Sequence, residues 1–182
     1  MKFSTKKLTL SAVFLGLGLV LPFLTGQVPQ VGSMLLPMHI PVLLCGIICG
    51  WEYGLAVGAI LPLLRSVIFG MPPIYPTALA MTFELAAYGA VIGFLYRRFF
   101  KGTAGIYLSL LTAMVSGRIV WGIVQAVLLG VGGKTFTVSA FLAGAVLNAV
   151  PGIILQLLLV PAVVILLEKT GVMYDREPPR AV

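Results

Sequence analysis

Six polar side chains stand inside stretches that are otherwise apolar: His39, Arg65, Glu84, Arg118, Gln125 and Asn148. Their types suit recognition more than bond-making. Arginine offers a planar fork of N–H donors matched to an anionic or strongly accepting group. Glutamate supplies a counter-charge, the amides donate and accept, and histidine does either. An ionised group deep in a bilayer costs about 2.5–3.5 kcal/mol on insertion scales, so such residues normally face protein or a wet cavity. Helical spacing puts them on stripes. Arg118, Trp121 and Gln125 stand at i, i+3 and i+7, as do Met81, Glu84 and Tyr88; Asn148 and Gly152 share a face with Ala145 and Gln156. Trp121 and Tyr88 beside ionisable groups suit a site that stacks a flat or amphipathic ligand and fixes its polar edge. Tyr75, in the proline-rich turn between Arg65 and Glu84, completes the candidate substrate-binding set. A structural reading stands beside this one: Arg65 and Glu84 pairing across a helical hairpin, with Gln125 and Asn148 as interhelical hydrogen-bonding groups. Two arginines against one glutamate favour a ligand with an anionic edge, unless Glu84 neutralises Arg65.

The chemistry absent from the sequence narrows the field. "GVGGKTF" has a phosphate-loop look, but that loop needs glycine where Leu128 stands. H-E-x-x-H, an acidic cluster for a divalent metal and G-x-S-x-G are all missing. Ser116 and His39, one serine and one histidine on different helices, make a weak dyad. Cys45 and Cys49 are spaced i,i+4 without a CxxC pair or a histidine partner, and read as small packing residues. No enzymatic activity, metal or cofactor is expected.

The elements that hold these residues follow from composition. The 182-residue chain is 60% hydrophobic and 9% charged, with a mean hydropathy of +1.12. Such values mean transmembrane helices. Glycine and proline breaks delimit six spans, at about 8–24, 34–50, 55–69, 77–96, 103–129 and 138–167, and predict an all-α polytopic bundle in a single transmembrane domain, 1–182. Spans two and three are short for a crossing of roughly 20 residues. Pro41, Pro62, Pro151 and Pro161 fall inside spans, where they should kink helices that line protein. The basic head Lys2, Lys6 and Lys7 before an apolar stretch is like a signal peptide, yet no A-x-A-like cleavage site follows, so it reads as a retained first helix.

Six crossings put both termini on one side. Lys2, Lys6, Lys7, Arg97, Arg98, Lys101, Lys169, Arg176 and Arg180 share that face, and Lys134 alone lies opposite. The positive-inside rule makes the shared face cytoplasmic. The net charge of +7 is therefore a topology signal and not a nucleic-acid footprint. With that orientation, the six polar residues all fall in the outer half of the membrane.

On the stretches "KKLTLSAVFLGLGLVL", "MHIPVLLCGIICGWEYGLAVGAILPLLRS" and "FELAAYGAVIGFLYRRF", with the size and the six-helix order, the chain resembles the substrate-binding S component of energy-coupling factor (ECF) transporters, prokaryotic importers of vitamins and related micronutrients. The resemblance implies a six-helix bundle in the plasma membrane with an outward-facing ligand site, closed by the loops at 26–33 and 70–76. It implies as partners a transmembrane coupling subunit and two ABC ATPases. It also implies a docking face of small residues four apart on the first helix, here Ala12-x-x-x-Gly16 with Gly18 nearby. The competing readings are a stand-alone secondary transporter or channel, for which no inverted repeat is visible between spans one to three and four to six, and a membrane enzyme without a catalytic constellation.

Overall fold

The computed structural model of the protein describes residues 4–25, 34–99 and 102–169. Lys2, Lys101, Arg176, Arg180 and the 26–33 loop lie outside the described residues. Regular structure in the described residues is helical throughout. Helix α1 is Thr5–Val20, extended by a 3-10 turn at Leu21–Thr25; α2 is His39–Cys49; α3 is Trp51–Phe69; α4 is Leu79–Arg98, entered through a π turn at Ile74–Ala78; α5 is Gly102–Val131. The sixth span is broken into a short α6, Val138–Leu142, a π turn at Ala143–Leu147, and α7, Val150–Lys169. Five stretches are long and apolar enough to cross a membrane.

The exception is instructive. Span two was expected over 34–50, but α2 has 11 residues, about 16 Å at helical rise. Leu36 adopts a left-handed φ of 50° ahead of it and separates Met34 and Leu35 from the helix. All of α2 except Ile48 is buried, so this helix is apolar all round because it runs through the centre of the bundle. A helix sheathed in protein need not match the roughly 30 Å hydrocarbon thickness. Span three is longer than expected. Helix α3 starts at Trp51, and the connection to α2 shrinks to Gly50, whose φ of 117° suits glycine. Arg97 donates to the Ile48 carbonyl at 3.1 Å and so caps the end of α2 from the end of α4.

Glycines set the spacing of α2, α3 and α4. A Cβ on Gly54 would lie 2.7 Å from both the Gly46 Cα and the Gly89 carbonyl oxygen, so three backbones meet there without side chains between them. Gly58 meets the Leu85 carbonyl in the same manner. In lipid, where apolar surface gains nothing by leaving water, such close backbone packing is what holds helices together. Above and below it, Leu43, Leu61, Leu85, Ile92, Ile106 and Leu110 fill the core. Helix α5 turns Val115, Ile119, Ile123 and Val127, each four apart, away from that core, the stripe expected of a lipid face. Pro62 and Pro161 are the prolines inside helices, and both are buried; Pro41 and Pro151 instead occupy first turns of α2 and α7, where their missing N–H costs little.

Candidate functional site

Glu84 is the centre of the site. It is 1% exposed on the inner face of α4. Its Oε1 lies 2.9 Å from Arg118 NH1 on α5 and 3.4 Å from His39 Nε2 at the start of α2. Three helices thus bring one carboxylate between a guanidinium and an imidazole. The approach depends on Gly117, where a Cβ would collide with the Tyr88 ring. Without a side chain there, α5 comes close enough to α4 for the neighbouring Arg118 to reach Glu84. Tyr88, one turn below Glu84, sets its ring edge-on to His39 with centroids 5.0 Å apart. The stripe read from sequence, Glu84 with Tyr88, therefore faces inward as expected.

The polar atoms of this cluster are far from satisfied by the described residues. Both nitrogens of His39, the Nε and NH2 groups of Arg118, and Oε1 of Gln125 are buried without hydrogen-bond partners. Even Glu84 Oε1 has close ion contacts but no well-directed hydrogen bond. A buried polar group left unpaired costs about 1–3 kcal/mol, so a cluster of them is a place where water or a ligand can supply the missing partners. Arg118 shows this most plainly. Glu84 engages NH1, whereas Nε and NH2, whose N–H bonds run parallel along one edge of the guanidinium, form an unused fork for two acceptor oxygens.

Other expected residues have their own surroundings. Trp121, one turn along α5 from Arg118, stacks on Phe141 of α6 at 6.2 Å and meets Phe136 edge-on at 5.9 Å, which joins α5 to the sixth span. Gln125 follows on the same stripe. Tyr75 is half exposed, and its hydroxyl donates to the Leu128 carbonyl near the end of α5, so it fastens the 70–76 loop over that end. Asn148 is exposed at the break between the π turn and α7, away from the buried cluster, because the sixth span is interrupted where a continuous helix was expected.

Arg65 corrects the expected hairpin pair. It is buried, but its NH1 donates to the Leu19 carbonyl at 2.5 Å, and its guanidinium lies over the rings of Phe23 and Phe69 at 5.1 and 5.3 Å. On α3 it faces α1, whereas Glu84 on α4 faces α2 and α5. Neighbouring helices can present adjacent charges to different partners, and here they do. Arg65 fixes the end of α1, and Arg118 takes the role of partner to Glu84.

One residue outside the candidate set belongs with the unsatisfied atoms. Gln156 on α7 is 0% exposed, and both Oε1 and Nε2 lack partners. Its signal in the sequence was a lone amide in the buried stripe of Gly152, Val160 and Val164.

On α1, Ala12 is exposed and a Cβ on Gly16 would meet nothing within 4 Å, whereas one on Gly18 would meet Leu61. Gly16 is thus an open surface position and Gly18 an internal packing one.

The family model described as "ECF transporter, substrate-specific component" matches residues 6–164. No curated protein and no solved structure matches the chain.

Proposed function

Since the chain belongs to the family of substrate-specific components of ECF transporters, we propose that this multi-pass membrane protein binds a small extracellular vitamin-like nutrient at the Glu84–Arg118–His39 cluster and hands it to a complex powered by two partner ATPases. The observation that carries the reading is the buried, unused fork of Arg118 beside a carboxylate that takes only its other nitrogen. Structural arginine–carboxylate pairs are frequently bidentate, and this one engages NH1 alone. The fork selects a carboxylate or similarly accepting group on the substrate, and Glu84 with His39 orients the arginine and keeps the site close to neutral when it is empty.

The remaining roles follow from placement. Trp121 and Tyr88 border the cluster with aromatic surface, Gln125 offers an acceptor, and Tyr75 holds the 70–76 loop against the end of α5. Lys6, Lys7, Arg97, Arg98 and Lys169 cluster at the ends of α1, α4 and α7, which supports a cytoplasmic location for that end in a prokaryotic plasma membrane. The site then opens toward the exterior. Ala12 and Gly16 offer the coupling subunit a flat helix face at which backbones can approach closely.

The test is to purify the chain in mild detergent from its own host and extract what it carries. A small acid identified by mass spectrometry, together with co-isolation of an ATPase pair, is the expected result. Uptake by the chain alone in proteoliposomes, without any ATPase, would overturn it.

A further inference from the structure

Gln156 has no hydrogen-bond partner among the described residues, yet it sits in the most buried stripe of α7. A count along two helices locates its depth. At one end of the bundle the Tyr96 hydroxyl donates to Glu168 Oε1 at 2.5 Å, joining the last turns of α4 and α7. Counting back 12 residues along each helix, about 18 Å at helical rise, arrives at Glu84 on α4 and Gln156 on α7. From the other end, a Cβ on Gly152 would lie 2.9 Å from the Leu35 carbonyl oxygen, so α7 touches the chain just ahead of α2. The count along α4 and α7 places the amide at the level of Glu84, and α7 packs against α2 and α5, which carry His39 and Arg118.

We infer that Gln156 is a second recognition point of the same ligand, reading an uncharged amide-like edge while Arg118 holds the acidic group, so that the substrate is a small acid bearing an amide, ureide or lactam. This rests on the substrate-binding reading above and adds the chemical class. A glutamine side chain presents one acceptor and one N–H₂ donor side by side, and its complement is an adjacent donor and acceptor. An apolar ligand leaves both atoms unpaired and a purely anionic one leaves the acceptor unpaired, and sites built to hydrogen-bond a group discriminate strongly against analogues that lack it. Gln125, whose buried Oε1 also wants a donor, fits the same ligand.

The experiment uses the full chain in detergent as wild type, Gln156→Leu, Gln156→Glu and Arg118→Lys. Calorimetric titrations use pantothenate and biotin, acids with an amide or ureide edge; nicotinate and lipoate, acids without one; and thiamine, a cation. The expected result is binding of pantothenate or biotin that falls at least tenfold in Gln156→Leu and in Gln156→Glu. Ligand-free Gln156→Leu should melt no lower than wild type, because the amide it loses makes no hydrogen bond among the described residues. Binding confined to nicotinate or lipoate, lost in Arg118→Lys but indifferent to Gln156→Leu, overturns the amide-edge class and leaves the binding-subunit reading intact. Binding of thiamine that ignores Arg118→Lys overturns both. Failure of both amide-bearing acids to bind overturns the class, and a ligand-free melting temperature lowered in Gln156→Leu makes the amide structural and overturns its assignment.

Discussion

Glu84 and Arg118 do two jobs at once, and substitutions can separate them. Replacing Arg118 by alanine removes the fork and also strands a buried carboxylate with only His39 beside it, a loss of about 3–5 kcal/mol when one partner of a buried pair goes. Arg118→Lys keeps a cation for Glu84 but has no planar fork. The lysine variant is therefore expected to retain a melting temperature near wild type while ligand affinity falls tenfold or more, about 1.4 kcal/mol. Arg118→Ala should lose both. Equal affinity in calorimetry of the lysine variant would remove the fork from recognition. A second prediction concerns pairing. A double-mutant cycle on Glu84 and Arg118 should show coupling of about 1 kcal/mol or more, whereas Glu84 and Arg65 should add within about 0.5 kcal/mol. The reverse pattern would restore the hairpin pair. At this scale the sequence announced which residues matter, because a charge among apolar neighbours in a membrane span is conspicuous. It did not announce their partners. Arg65 and Glu84 are neighbours across one hairpin, but which way each helix turns them depends on packing that no local spacing encodes. Gln156 was visible as a member of an inward stripe, and only its full burial without partners raised it to a candidate.

Among the helices, the close contact of α2, α3 and α4 decides whether the site exists, since α2 brings His39 and α4 brings Glu84. A methyl group at Gly89 would collide with the Gly54 carbonyl, a backbone atom that no rotamer change can move aside. Gly89→Ala is thus expected to push α3 and α4 apart, at about 1–3 kcal/mol for overpacking, and to lower the melting temperature in detergent. Gly16→Ala meets open space and serves as the comparison, with stability unchanged or raised by the better helix propensity of alanine. If the two variants melt alike, the glycine contact is not what spaces these helices. Span boundaries marked by glycine and proline were legible to within a few residues for α1, α4 and α5. The central position of α2 was not, because an apolar run reads the same whether lipid or protein surrounds it. The break in the sixth span had a signal in Asn148 and Pro151: proline suits a first turn and biases the residue before it away from helix. The continuous apolar character of 138–167 concealed it.

For the whole molecule, the polar cluster lies deep between α2, α4 and α5, whereas the small-residue face of α1 lies on the bundle's surface, and this separation makes the division of labour testable. Ala12 and Gly16 lie in the third and fourth turns of α1, whose start carries Lys6 and Lys7 on the side where Arg97, Arg98 and Lys169 close α4 and α7. Neither residue contributes to the Glu84 site. Leucine at either position adds bulk to a surface on which nothing in the bundle rests, so the isolated protein should fold and bind as before. What it should lose is close approach of a partner helix, which in lipid depends on small residues at the contact. The expectation is therefore a split outcome: ligand affinity in detergent within about twofold of wild type, and ATP-driven uptake by the assembled complex in proteoliposomes abolished or nearly so. Gly18→Leu sharpens the comparison, because its side chain would press on Leu61 within the bundle and should lower stability before any partner is involved. If uptake survives both Ala12→Leu and Gly16→Leu, the coupling subunit docks elsewhere. If binding falls along with uptake, α1 is part of the ligand site's support, and the separation of capture from energy coupling across the two regions fails.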